Sequence, residues 1–292
     1  MKEFRNKIAV ITGSANGIGK AFALEGAKRG MRLALIDIDE ERLPGVKAEC
    51  EQFGSPGVAA ILADVSSPRE VRDSIAQVTQ AFGGVDVMFS NAGIATAGWI
   101  NDLPSQDWQW AMDVNSNAMA YYAHEVLPIM EEQKTPAYFM FTASIAGLIG
   151  GLRINTSYLA SKHAALCIAE GTRDYVKAKA LDIGISVFCP EYIRTDIHNS
   201  ERRRPTRYTV ADDPFYQSKN HLDYKKLFEA NITQKGMNPD FVGPRLFRAM
   251  EDEQMYIAPH LHTHESVKAR HRAIEADLEK DRALHMEFAS LQ

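Results

Sequence analysis

Ser144, Tyr158 and Lys162 fall within one short span, S-I-A-G-L-I-G-G-L-R-I-N-T-S-Y-L-A-S-K from 144 to 162, and together they could move a proton. Tyr158 and Lys162 are four apart, so on a helix they stand on one face, one turn from each other. A free tyrosine loses its proton near pH ~10 and is a poor base at neutrality; a fixed ammonium beside it favours the phenolate and draws that pKa down. Ser144 could donate a hydrogen bond to the same substrate oxygen. Alone, Y-x-x-x-K describes a surface pair far more often than a catalytic one. The chemical reading therefore depends on whether the preceding chain builds a nucleotide site.

It has the pattern to do so. Lys7 to Thr12 is a compact run rich in β-branched residues, followed by G-S-A-N-G-I-G-K and an Ala-rich periodic stretch to Arg29. A strand feeding a glycine loop into a helix N-terminus presents open backbone N–H groups and the positive end of the helix dipole to an anion. A second strand, Arg32 to Ile36, ends at Asp37, roughly twenty residues past the loop, where a dinucleotide fold holds the adenosine ribose. A carboxylate there repels the extra phosphate of NADP, and neither Ile38 nor the loop before Gly19 offers a cation, so NAD is expected. D-I-D-E-E also reads as a helix cap, and the two readings of Asp37 stand side by side at this point.

The alternation continues: a helix to about Phe53 with Pro44 in its first turn, a strand from Val58 to Ala63, a helix from Pro68 to Phe82 and a strand from Val85 to Ser90. Ser105 opens a long helix that Pro128 kinks or ends; the strand Tyr138 to Thr142 delivers Ser144; the helix carrying Tyr158 and Lys162 runs to about Ala180; and a strand spans Ile183 to Cys189. Repeated β-α units demand a doubly wound parallel sheet, with ligands beyond the C-terminal strand ends. Asp64, Asn91, Ser144 and Pro190 all fall at such ends.

Composition narrows the class. With 292 residues, 45% hydrophobic, and no linker in the first 190, one large α/β domain over 1–292 is expected. A net charge of -5 with mixed signs argues against nucleic-acid binding. No span approaches the roughly 20 apolar residues of a membrane helix, and the apolar run after the basic start, Ile8 to Ile11, is too short for a signal peptide. Cys50, Cys167 and Cys189 lie far apart without C-x-x-C pairing, the latter two in apolar surroundings that read as core. A reduced, cytoplasmic protein is expected.

These elements resemble the short-chain dehydrogenase/reductase family: T-G-S-A-N-G-I-G (Thr12 to Gly19), Asp64-Val65, N-A-G (Asn91 to Gly93), Asn115, Ser144, Y-x-x-x-K and P-x-x-I-x-T (Pro190 to Thr195). The match covers about the first two-thirds of the chain, and T-G-x-x-x-G-x-G resembles its simple dehydrogenase branch rather than the epimerase-rich one. The resemblance implies a seven-stranded Rossmann sheet and NAD(H) as cofactor. Gly13, Gly17 and Gly19 would cradle the pyrophosphate, with Asn16 and Ile18 between them among the contacts. Asp37 would hold the ribose, Asp64 and Val65 the adenine, and Asn91 would lie near the cofactor. Ile193 and Thr195, after Pro190, would take the carboxamide. Tyr158 would exchange the proton, Lys162 would lower its pKa and hold the nicotinamide ribose, Ser144 would polarise the carbonyl, and Asn115 would hold a relay water. The family usually has glycine where this chain has Glu191, so the backbone there is expected to run differently.

The last third is less regular. In the family, 196–238 is the substrate lid, and its length suggests short helices of its own. Arg202, Arg203, Arg204 and Arg207 read as a solvated loop before an anion site. The lid aromatics, with Trp99, Ile145, Leu152 and Ile154, favour a bulky apolar alcohol or ketone, a hydroxysteroid first. Asn238-Pro239-Asp240 caps a helix to about Glu251, and Met255 to Ala258 is an edge strand. The alternating His260, His262 and His264 lack a recognisable ligand spacing, so no metal is expected. A helical extension over 263–292 carries Val267, Ile274, Leu278 and Phe288 as a narrow apolar stripe, for its own sheet or a partner subunit. The resemblance implies a homodimer or homotetramer. An NADPH-preferring reductase and a dinucleotide-binding regulatory protein without turnover are the alternatives.

Overall fold

The computed structural model describes residues 1–151 and 155–289. Seven parallel strands form one sheet in the order β3-β2-β1-β4-β5-β6-β7. They are β1 (Ile8–Thr12), β2 (Arg32–Asp37), β3 (Val58–Leu62), β4 (Val87–Ser90), β5 (Ala137–Thr142), β6 (Ile183–Phe188) and β7 (Tyr256–Ile257). The strand order reverses between β1 and β4, which opens a crevice above their C-terminal ends.

Period-two alternation assigns each strand residue to a face. Ile8 and Val10 turn toward α3 (Pro68–Phe82), α4 (Ser105–Met112), α5 (Ala118–Gln133) and α6 (Thr156–Ala178). Ala9 and Ile11 turn toward α1 (Gly17–Lys28), α2 (Leu43–Gln52) and α8 (Val242–Glu251). The second layer is closed by aromatic contact: Phe247 of α8 is fully buried, stacks on Phe22 at 4.7 Å and meets Phe4 edge-on at 4.8 Å. Removing that ring leaves a cavity between α1 and α8 that the rigid sheet cannot fill. Phe247→Ala is expected to cost about 3 to 5 kcal/mol, measured by urea unfolding against the unaltered chain.

Several boundaries differ from expectation for clear reasons. Pro128 neither ends nor interrupts its helix; α5 runs on to Gln133, and Lys134, in the left-handed region at φ 51°, ends it. Between α4 and α5 the helical path widens into a π-turn, Asp113–Asn117. Asn238 does cap the element after it, its Oδ1 accepting the Asp240 N–H at 3.1 Å, but one 3-10 turn precedes α8. Cys189 is buried, whereas Cys167 is exposed on α6, so its apolar sequence neighbours did not report its face. The extension forms α9 (Thr263–Ala289); of its expected stripe Val267 is partly buried, whereas Ile274, Leu278 and Phe288 stay exposed, as do Leu284 and Met286. Among the described residues no helix is long and apolar enough to cross a membrane.

Candidate active site

Gly13 and Gly17 both occupy the left-handed region, at φ +64° and +54°. Space is as restrictive as conformation: a Cβ on Gly13 would lie 2.8 Å from Ala92 Cα, and one on Gly17 would lie 2.5 Å from Thr195 Cγ2. Asn91, at the end of β4, locks the loop by donating from Nδ2 to the carbonyls of Thr12 (3.0 Å) and Gly13 (3.3 Å). Asn16 is the N-cap of α1, yet its side chain makes no capping bond. The first-turn N–H groups therefore lack that partner, and the tight, side-chain-free turn fits a pyrophosphate.

Asp37 does not cap α2, whose N-cap is Arg42. Its carboxylate instead accepts from Ala15 N (2.8 Å) and Asp39 N (2.9 Å), which fixes it at the cleft wall. Burial pushes its pKa up, against the pull of those two backbone bonds. Asp64 accepts from Ser66 N and Oγ and pairs with Arg207 at 2.7 Å. One cleft of about 470 Å³ is lined by the glycine loop, Asp37, Asp64, Val65 and Asn91 at one end. Ser144, Tyr158, Lys162, Pro190, Ile193 and Thr195 line the rest. Among the expected site residues, Gly19 and Asn115 stand behind this wall rather than in it.

At the second end, β5 carries Ser144 to the start of α6. Ser144 Oγ accepts from Ala146 N (3.1 Å) and donates to Pro190 O (3.2 Å), tying the two loops together. Lys162, only 2% exposed, donates from Nζ to Thr142 O at 3.1 Å and lies 5.7 Å from the Tyr158 ring centroid. Burial lowers Lys162 to about 8. The expected depression of Tyr158 is absent in this state: desolvation raises the phenol to about 12, with Ser144 opposing it. The lysine is spent on a carbonyl, and the site is dry enough to penalise either charge alone. Asn115 sits in the π-turn, accepts from Ile94 N (2.8 Å), and donates to Ile94 O and Ser161 Oγ (both 3.0 Å). Its side chain thus joins the loop after β4 to the helix bearing Tyr158. A π-turn is a recurrent feature at functional sites.

Tyr192, Phe228, Ile232, Ile145 and Ile149 also line this cleft. Phe228 belongs to α7 (Lys219–Ala230), inside the expected lid, and stacks with Tyr224 at 5.8 Å. Trp99 does not line the cleft, and Leu152 and Ile154 lie outside the described residues. Arg202 and Arg207 stay exposed, as a solvated loop would leave them, but all four arginines of 201–207 are paired with carboxylates. Arg204 pairs with Asp107 (2.6 Å) and Glu201 and lies 4.5 Å over Trp110; Arg207 holds Asp64; Arg202 and Arg203 hold Asp39. Burial raises the Asp39 carboxyl, but Arg203 and Arg202 outweigh it and hold the group below its ordinary range. Most of these partners are distant in the chain, 97 positions for Arg204 and Asp107, 143 for Arg207 and Asp64 and 163 for Arg202 and Asp39, whereas Glu201 and Arg204 are only three apart.

Glu191 has a similar hidden role. Its carboxylate takes His262 Nε2 (2.5 Å) and Thr263 Oγ1 (2.9 Å), and its N–H donates to His260 Nδ1 (3.2 Å). Two of the three alternating histidines therefore pin the loop after β6 to the start of α9.

Comparison with known proteins agrees with this geometry. The profile described as short chain dehydrogenase matches residues 7–206. The chain is 36% identical to the CLA biosynthesis dehydrogenase/reductase of Lactiplantibacillus plantarum, over 95% of this chain and 96% of that one. It is 29% identical to the 3beta-hydroxysteroid dehydrogenase of Mediterraneibacter gnavus, over 77% and 79%. A short chain dehydrogenase/reductase from Burkholderia phymatum, solved in complex with NAD, superposes with a TM-score of 0.90 at 31% identity, covering 95% of this chain and 97% of that one.

Proposed function

The chain belongs to the short-chain dehydrogenase family, and on that footing we propose that it is an NAD(H)-dependent oxidoreductase interconverting a secondary alcohol and a ketone. The observation that carries the proposal is one cleft with the glycine loop and Asp37 at one end and Ser144, Tyr158 and Lys162 at the other. The bound dinucleotide supplies or accepts a hydride at the nicotinamide. The protein supplies the proton and holds the substrate.

In reduction, Tyr158 donates its phenolic proton to the substrate oxygen while Ser144 Oγ turns from Pro190 O to hydrogen-bond the same oxygen. Lys162 stabilises the phenolate that results, and Asn115 keeps α6 in register with the wall after β4, with a water beside it relaying protons to Lys162. Pro190, Ile193 and Thr195 hold the nicotinamide end; Asn16, Ile18 and Gly19 complete the phosphate turn; and Asp64 and Val65 hold the adenine. Asp37 takes the ribose hydroxyls, which favours NAD over NADP.

Tyr192, Phe228, Ile145 and Ile149 make the substrate end apolar, so the substrate class is a bulky apolar alcohol or ketone, a hydroxysteroid first. The Mediterraneibacter relative supports that choice, and the Lactiplantibacillus relative adds its own substrate to the panel. The unpaired thiols suit a cytoplasmic setting, and the exposed apolar side chains of α9 suit a homodimer or homotetramer. The test is NADH consumption with a panel of steroid, sugar, polyol and acyl ketones. Turnover of apolar ketones supports the assignment; cofactor binding without turnover of any class would favour a regulatory protein.

The buried pair also sets a pH dependence. In the free enzyme the first proton leaves near the Lys162 value of about 8, well before the Tyr158 value of about 12. Loss of that one proton is a property of the pair, since the remaining proton can sit on either group. Alcohol oxidation needs the pair one proton short, whereas ketone reduction needs it full. Oxidative kcat/KM should therefore rise with pH through about 8 while reductive kcat/KM falls. Oxidation that declines over the same range would contradict this assignment.

A further inference from the structure

Just beyond β2 stands a second carboxylate, Asp39, whose surroundings differ from those of Asp37. Its side chain is 7% exposed, and three guanidiniums converge on it: Arg203 Nη2 at 2.7 Å, Arg202 Nη2 at 3.0 Å and Arg42 Nε at 3.8 Å. Asp196 takes two of the same groups from the other side, Arg42 at 2.6 Å and Arg202 at 3.1 Å. Glu41 adds a 2.6 Å contact to Arg203, but it is 71% exposed and screened by solvent. Arg42, Arg202 and Arg203 line the same part of the cleft as Asp37, where the adenosine ribose is expected. One donor there is still unmet: among the described residues Arg203 Nε is buried without a hydrogen-bond partner.

A cluster of guanidiniums beside the ribose is what a 2′-phosphate would use, through paired N–H donors. We propose that Asp39 is a specificity-determining residue for the cofactor: it holds Arg42, Arg202 and Arg203 and so denies them to the 2′-phosphate of NADP. The proposal rests on the NAD reading above. Charge counting shows why Asp39 decides the matter. With the solvent-screened Glu41 set aside, three arginines against Asp37, Asp39 and Asp196 sum to zero; without Asp39 the corner becomes positive and its guanidiniums lose a shared acceptor. Asp37 then still faces the ribose, but it no longer sets the sign of the field. Asp39 acts through the arginines as a positioning residue, and the three guanidiniums are latent phosphate ligands supplied by α2's N-cap and the segment after β6.

The test is calorimetric titration of NAD⁺ and NADP⁺ into the full chain and its variants, a binding readout independent of turnover. The unaltered protein is expected to bind NAD⁺ more tightly. Asp39→Asn should lower the NAD⁺ to NADP⁺ affinity ratio by about tenfold or more, chiefly by tightening NADP⁺, as expected for removing one charge a few ångströms from the phosphate. Adding Arg202→Gln and Arg203→Gln should erase that gain. Asp196→Asn, on a more exposed side chain, should shift the ratio in the same direction by about threefold, and it serves where Asp39→Asn does not fold. A ratio unchanged in Asp39→Asn, or in Asp196→Asn where that variant stands in for it, would overturn this role for Asp39 and leave the NAD reading intact. An unaltered protein preferring NADP⁺ would overturn both.

Discussion

Tyr158→Phe should reduce kcat by about 10³-fold or more, within the 10² to 10⁴ that a positioned acid–base group contributes. NADH affinity should stay within about twofold, because the substitution removes one hydroxyl from a ring that keeps its packing. The expectation follows from position. Tyr158 shares the cleft with Ser144 and Lys162 and stands one helical turn from the lysine on α6. Ser144 hydrogen-bonds Pro190 O and Ala146 N and is suited to orient rather than to exchange protons. Lys162 lies behind the tyrosine, 2% exposed and bonded to Thr142 O, so it cannot replace the hydroxyl at the substrate. If Tyr158→Phe kept more than about a tenth of the activity, the proton would have to come from elsewhere.

Gly17→Ala should be almost as damaging, at a different step. The residue sits at φ +54°, where a Cβ is strained, and that Cβ would lie 2.5 Å from Thr195 Cγ2. Either the glycine loop or the segment carrying Thr195 must move, and both border the cofactor end of the cleft. A displacement near 1 Å in a site that works by positioning costs about 10²-fold, and here the loss should fall on cofactor affinity. Calorimetric titration with NADH checks it, with circular dichroism to show that the sheet is intact. Unchanged affinity would mean that the loop does not cradle the pyrophosphate.

The sequence made the local features legible. The helix expected from Pro68 to Phe82 is α3 with those same bounds, and Ser67 Oγ caps it by accepting the Glu70 N–H. The glycine loop, the strand-end positions of Asp64, Asn91 and Ser144, and the shared helix of Tyr158 and Lys162 were equally readable, because each depends on neighbours within a turn or two. What stayed hidden depends on groups far apart in the chain. Arg202 and Asp39 are 163 positions apart, and Glu191 meets His262 across 71. Without the sheet to bring them together, an arginine run looks like a solvated loop and three alternating histidines show neither a ligand spacing nor the carboxylate they hold. The π-turn around Asn115 has no composition signal of its own, and the exposure of Cys167 could not be read because the residues around it on α6 are apolar on more than one face.

The pKa pattern adds a physical point about the site. A buried tyrosine raised to about 12 and a buried lysine lowered to about 8 describe a site in which the pair holds both protons at neutral pH and is one proton short above about 8. That state is ready to donate during reduction and, after losing one proton, ready to accept during oxidation. The electrostatic pull of Lys162 on Tyr158 then acts on the phenolate formed during the reaction, where it helps most.

The most direct test of the central assignment is transfer of label from NADH carrying deuterium at the reactive nicotinamide carbon, incubated with the full chain and apolar ketones. The account predicts that deuterium appears on the carbinol carbon of the product, and that Tyr158→Phe suppresses the transfer while still binding the labelled cofactor. Tight cofactor binding with no deuterium reaching any ketone of the panel would contradict it.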